Sequence, residues 1–131
     1  MMNASRGTSP QTTLHEAARG IAEQLGLKIE QLAPVLGFTP LECARFLSGR
    51  VALSPDSLAL ERFALLADIH RALARLIKHD HSAMREWLHR PIEALGAAPI
   101  ALMGSAKGLF QVLHLIGSQL PEIKGSMTAW K

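Results

Sequence analysis

Tyrosine is absent from this 131-residue chain, and phenylalanine and tryptophan hold aromatic content to 5%. Runs of alternating Val, Ile and Thr are missing as well. The 48% of hydrophobic residues must therefore be packed largely as Leu and Ala, which suit packed helices better than pleated sheets. The fold class expected is all-α. A single cysteine, Cys43, excludes an internal disulfide and fits a reducing, cytoplasmic setting. Pro91, Pro99 and several glycines interrupt the most apolar stretches well before the ~18 residues that a membrane span needs. Residues 1–13 carry no apolar run, so no secretory signal is expected.

Catalytic patterns are also missing. The chain has no nucleophile elbow, phosphate loop or carboxylate pair, and Gly104 and Gly108 do not complete a dinucleotide or nucleotide motif. His79-Asp80-His81 is the most ligand-like cluster, but side chains at i and i+2 do not share a helix face and no second cluster accompanies them. Glu86-x-x-His89 has the spacing of half a di-iron motif without its other half. Cys43 has no suitably placed histidine. No enzyme, metal site or cofactor is expected. The net charge of +3 and a pI near 9.5 permit phosphate contacts without the heavy basic excess of a strong nucleic-acid binder.

Read in order, residues 1–12 offer almost nothing to bury and are expected to form a disordered tail. Leu14, Ala17, Ala18, Ile21 and Leu25 recur at helical spacing, with Thr13 as the cap and Gly26 as the stop. Next comes the sharpest local pattern of the N-terminal half. Ile29–Leu36 is a brief helix, 37–39 a turn and Pro40–Ser48 a second helix. Gly37 sits at the left-handed turn position, while Phe38, Cys43 and Phe46 occupy the inward positions of a helix-turn-helix. Thr39 and Glu42 form a capping box, with Pro40 at the first helical position. Pro34 inside the first helix predicts that it is short or kinked.

The outward side of the second helix would carry Leu41, Glu42, Ala44, Arg45 and Ser48. Arg45 is the expected base reader, since arginine paired to guanine is the commonest specific contact. Thr39, Ser48 and Arg50 complete the expected DNA-binding set, near phosphates and base edges. Leu41 is an unusual outward residue that could touch a thymine methyl. A helix-turn-helix kept as a scaffold without DNA binding is the alternative.

Ser54-Pro55-Asp56 reads as a helix start, and no Gly or Pro follows from Leu58 to Lys78. Two apolar stripes mark this long helix as enclosed on two sides: Phe63, Leu66, His70, Leu73, Ile77, and Leu58, Leu65, Ile69, Leu76. Arg71, Arg75 and Lys78 share its outer face, as a solvated edge or a phosphate track. Asp80 or Ser82 caps a short helix that Pro91 breaks; Gly96 ends a turn and Pro99 opens another. Ser105 caps a last helix that Pro121 stops. Its Leu109, Val112, Leu113, Ile116 and Leu120 face inward, and Lys107, Gln111, His114 and Ser118 face out, with Leu115 beside His114. Trp130 is the one large anchor in the remaining tail. The expected layout is a tail (1–12), a helix-turn-helix lobe with its connecting helix (13–78), a small helical C-terminal lobe (79–120) and a C-terminal tail (121–131).

Trp87-Leu88, Pro91, Leu95-Gly96, Pro99, Leu102, Gly108, Val112 and Ile116 follow the order W-L-x-x-P-x-x-x-L-G-x-x-P-x-x-L, then G-x-x-x-V-x-x-x-I. This resembles the toxin-binding domain of the Xre/MbcA/ParS-type antitoxins. Ala97 and Ala98 stand where that family has a second Gly and often a Thr, and Gln119-Leu120-Pro121-Glu122 replaces its I-E-x-G-like ending. More loosely, the resemblance extends over Leu14–Ile116. It implies an antitoxin of a type II toxin–antitoxin system, whose N-terminal lobe binds its own promoter DNA as a dimeric autorepressor. The C-terminal lobe would occlude the active site of a toxin, often of the NAD-degrading RES type. His114, Leu115, Ser118, Trp130 and Lys131 are the expected toxin-binding residues. A transcriptional regulator without a toxin, or a protein-interaction module with an inactive helix-turn-helix, are the alternatives.

Overall fold

A computed structural model describes residues 10–54 and 56–120. Among these the fold is all-α, with seven helices and no strand: α1 (Pro10–Leu25), α2 (Ile29–Leu36), α3 (Pro40–Leu47), α4 (Leu58–Leu76), α5 (His81–His89), α6 (Pro99–Leu102) and α7 (Ala106–Ser118).

Two helix starts differ from those expected. α1 begins at Pro10 rather than after Thr13, because proline is pre-organised for the first helical turn and the helix extends back to it. α4 is capped by Ser57, whose hydroxyl accepts the Leu60 N–H at 3.1 Å; Ser54 lies outside the helix. Leu58, in the first turn, is consequently exposed instead of joining the apolar stripe. The other caps fall where expected. Thr39 and Glu42 exchange both capping-box bonds, Asp80 accepts from Ala83 N–H, and Ser105 from Gly108 N–H. α2 is only eight residues long and runs through Pro34, which is exposed, so water can serve the carbonyl that the proline leaves unpaired.

Four helices end the same way. The N–H of a residue just past the helix reaches back five positions: Leu27 to Ala22, Phe38 to Ala33, Arg50 to Arg45 and His79 to Ala74, at 2.7–2.9 Å. This closure requires a left-handed residue. The first three helices supply glycine, as at Gly37 (φ +79°), but α4 uses Lys78 (φ +59°), followed by His79 (φ +64°).

α4 is the centre of the molecule. α7, α2 and α1 all pack against it, which accounts for an apolar surface wider than one stripe. Phe63, Leu66, Ile69 and Leu73 are buried there, and the small residues Ala59, Ala72 and Ala74 let neighbours approach closely. α1 also packs against α3 and α5, so one contiguous core runs from Ala18 to Leu120 through both parts of the chain. Val112, Ile116 and Leu109 bring α7 into it; Met84 and Leu88 bring α5, and Trp87 is half-buried against it. Every buried side chain in this core is apolar.

Polar ties reinforce the same junctions. His70 on α4 meets Gln24 on α1, Nε2 to Oε1 at 2.6 Å, and Gln31 on α2 meets His89 on α5 at 3.3 Å. Arg62 on α4 donates from Nη1 to the Pro34 carbonyl at 3.3 Å and to the Gly104 carbonyl at 3.4 Å. One guanidinium therefore sits at the carboxyl end of α2 and just past that of α6, where a positive charge is favoured. Its Nε is buried without a partner.

Gly108 explains a position in the C-terminal motif. A Cβ there would lie 1.6 Å from the Leu102 carbonyl oxygen, so only glycine lets the first turn of α7 cross the end of α6. The segment between α5 and α6 is a tight loop closed by Ile92 N–H on the Ala97 carbonyl at 3.1 Å, with Gly96 turning inside it.

Candidate functional site

Two surfaces carry the candidate residues. The first is the outer side of α3. Its inner side is fixed by Cys43 and Phe46, both buried, with the Phe46 ring 6.1 Å from that of Phe38. Burial pushes the Cys43 thiol pKa up, which keeps it protonated and inert. Holding that face inward turns Leu41, Glu42, Arg45 and Ser48 to solvent.

The four residues expected at DNA are all exposed, but they are not equally available. Thr39 Oγ1 already accepts the Glu42 N–H at 3.2 Å, leaving its hydroxyl proton for an outside acceptor. Ser48 donates its hydroxyl to the Arg45 carbonyl at 3.0 Å. Arg45 stands in the last turn of α3, and Arg50 follows the Gly49 turn; among the described residues neither guanidinium is paired with a carboxylate. Glu42 is partly committed, because its Oε1 accepts the Thr39 N–H at 2.8 Å. The basic edge of α4 is less open. Arg71 is ion-paired with Asp68 one turn away, as on a solvated helix face.

The second surface is the outer side of α7. Lys107, Gln111 and His114 are exposed, as their spacing predicts. Leu115 is half-buried, and Ser118 is half-buried with its hydroxyl donated to the Leu115 carbonyl at 2.7 Å. Trp130 and Lys131 lie outside the described residues. Sequence reasoning missed Phe110, which is 58% exposed in the middle of this face. Its position three residues after Lys107 and four before His114 marks it as outward; its apolar character masked that. A shallow groove beside it, lined by Leu102, Gly104, Ser105, Lys107 and Gln111, crosses the α6–α7 turn.

Among the described residues no three His, Cys, Asp or Glu side chains converge on a point. His89 is taken up by Gln31 and by the Arg85 carbonyl at 2.8 Å from its Nδ1, and His79, Asp80 and His81 are exposed at the turn into α5. No described helix is long and apolar enough to cross a membrane.

Residues 72–119 match the model of the antitoxin Xre/MbcA/ParS C-terminal toxin-binding domain. The match opens at Ala72, inside α4, and takes in α5, α6 and α7. No curated protein matches the chain.

Proposed function

With residues 72–119 assigned to the toxin-binding domain of the Xre/MbcA/ParS antitoxins, we propose that the chain is the cytoplasmic antitoxin of a type II toxin–antitoxin pair. It neutralises a toxin by covering its active site and acts by binding, not catalysis. The family match is the observation that carries this reading. The α7 face supports it, since an exposed aromatic among polar neighbours is the composition of a protein-contact centre. On this reading Phe110 and His114 contact the toxin, with Leu115, Ser118 and the tail residues Trp130 and Lys131 extending the contact. The resemblance of the motif in Trp87–Ile116 favours an NAD-degrading toxin of the RES type.

The same chain represses its own promoter as a homodimer through α2 and α3. Arg45 reads a base, while Thr39 and Arg50 hold phosphates, and Ser48 joins them by turning its hydroxyl from the Arg45 carbonyl. The guanidinium groups of Arg45 and Arg50, free of carboxylate partners among the described residues, support this assignment.

Co-expression with the product of the neighbouring reading frame tests the antitoxin reading. The two proteins are expected to co-purify, and the antitoxin to restore growth and cellular NAD. A neighbour that is neither toxic nor bound rules the reading out.

A further inference from the structure

The outer side of α3 holds a residue that neither the fold nor the capping network uses. Leu41 is 61% exposed, the most exposed of the large hydrophobic side chains among the described residues. It stands in the first turn of α3, next to Glu42 and four residues before Arg45. The capping box accounts for Thr39, Pro40 and Glu42, and the core accounts for Cys43 and Phe46. Leu41 contributes to neither.

Resting on the reading of α2 and α3 as a DNA-binding unit, we infer that Leu41 is a specificity residue that reads the C5-methyl group of a thymine. Three observations select DNA over a protein partner for this apolar side chain. Arg45 lies one helical turn away on the same face, so the apolar and cationic groups are presented together. Arg50, at the turn beyond the helix end, adds a second cation without a carboxylate partner among the described residues. Glu42, the one acid on this face, has one carboxylate oxygen engaged by the Thr39 N–H.

The major groove is the one nucleic-acid surface that offers an apolar group beside guanine acceptors: the thymine methyl lies there next to guanine N7 and O6. Leu41 and Arg45 are four residues apart, a rise of about 6 Å along the helix, which spans between one and two base-pair steps of about 3.4 Å each. A recognition helix that presents Leu41 and then Arg45 therefore reads a thymine and a guanine about one to two base pairs apart. An apolar group with a positively charged rim fits this target; a purely hydrophobic groove on a protein partner would leave the cations unmatched.

The test uses the full chain and a duplex that it selects from a pool randomised over about twenty base pairs, two turns of the double helix, at low salt. The selected sequence is expected to fix one thymine and one guanine about one to two positions apart. Replacing that thymine by deoxyuridine removes only the methyl group and should weaken binding about fourfold, the worth of one buried methyl. Leu41→Ala should bind both duplexes equally, while Arg45→Ala should lose the guanine preference and keep the response to the methyl. Because Leu41 is exposed, its variant should melt like the parent, so a loss of response is not a loss of fold. A selected duplex that is indifferent to deoxyuridine at every thymine overturns the role of Leu41 and leaves DNA binding standing. That role is equally overturned if Leu41→Ala keeps the methyl response, or if it instead dissociates a homodimer or a toxin complex. No enriched sequence at all overturns both this role and the DNA-binding reading beneath it.

Discussion

Three single residues hold their places for separable reasons. Gly108 is required by contact: the 1.6 Å approach to the Leu102 carbonyl leaves no room for a methyl group beside rigid backbone. Gly108→Ala should therefore destabilise the fold by about 3 kcal/mol, the upper range for overpacking, as read by denaturant titration. Lys78 is the opposite case, a lysine where three other helix ends have glycine. Relieving its left-handed backbone offsets more than the freedom that glycine adds to the unfolded chain, so Lys78→Gly should stabilise by about 0.5 kcal/mol. A small upward shift in Tm is the readout. His70 is constrained by its surroundings. Burial first, then the nearby His81, Arg71 and His79, hold its pKa below the ordinary 6.5, so at neutral pH it is uncharged and its Nε2–H donates to Gln24. In the window between its lowered folded value and 6.5 the unfolded chain binds more protons than the folded one. Stability is thus intact above that window and is lost as pH falls through it. Unfolding at neutral pH and about two units below it should show the fall in the parent, and His70→Gln should flatten it.

Among the elements, α7 carries the clearest division of labour. Leu109, Val112 and Ile116 are buried on α4, while Lys107, Phe110, Gln111 and His114 face solvent. Phe110→Asp should leave the melting temperature close to that of the parent, because the side chain lies outside the core. The same change should weaken a toxin complex at least about tenfold by calorimetry, as expected for an aromatic anchor. Unchanged affinity would move the contact off this face. Several helix ends were legible because they announce themselves: Thr39, Asp80 and Ser105 offer a side-chain acceptor to an N–H three residues on, and Gly26 and Gly37 offer the left-handed stop. Ser54 and Ser57 carry the same hydroxyl acceptor, so the Ser54-Pro55-Asp56 pattern places the start of α4 three residues too early. Phe110 was illegible for a different reason: hydrophobicity predicts burial on average, and an exposed apolar residue looks like core. Arg62 could not be found from sequence at all. Its role depends on two carbonyls, Pro34 and Gly104, that are brought together only by folding.

For the whole molecule, the decisive feature is that α1–α3 and the region matched by the toxin-binding domain model draw on one core. The family match begins inside α4, the helix against which both α2 and α7 pack. A chain ending at Lys78 would lose α7 from α4 and α5 from α1, exposing Leu66, Ile69 and Leu73. It should lack a cooperative thermal transition and bind a hydrophobic dye, where two independent lobes would leave a folded N-terminal fragment. The polar ties carry the same lesson in finer detail. Gln24 with His70, Gln31 with His89, and Arg62 with Pro34 and Gly104 are matched sets, each drawn from distant parts of the chain. A crossover between relatives placed after α4 would therefore part Gln31 from His89 and separate the α4 and α7 faces that share the core. A stable hybrid has to inherit both sides of that core, so the N-terminal helices and the matched C-terminal region travel through descent as a linked whole.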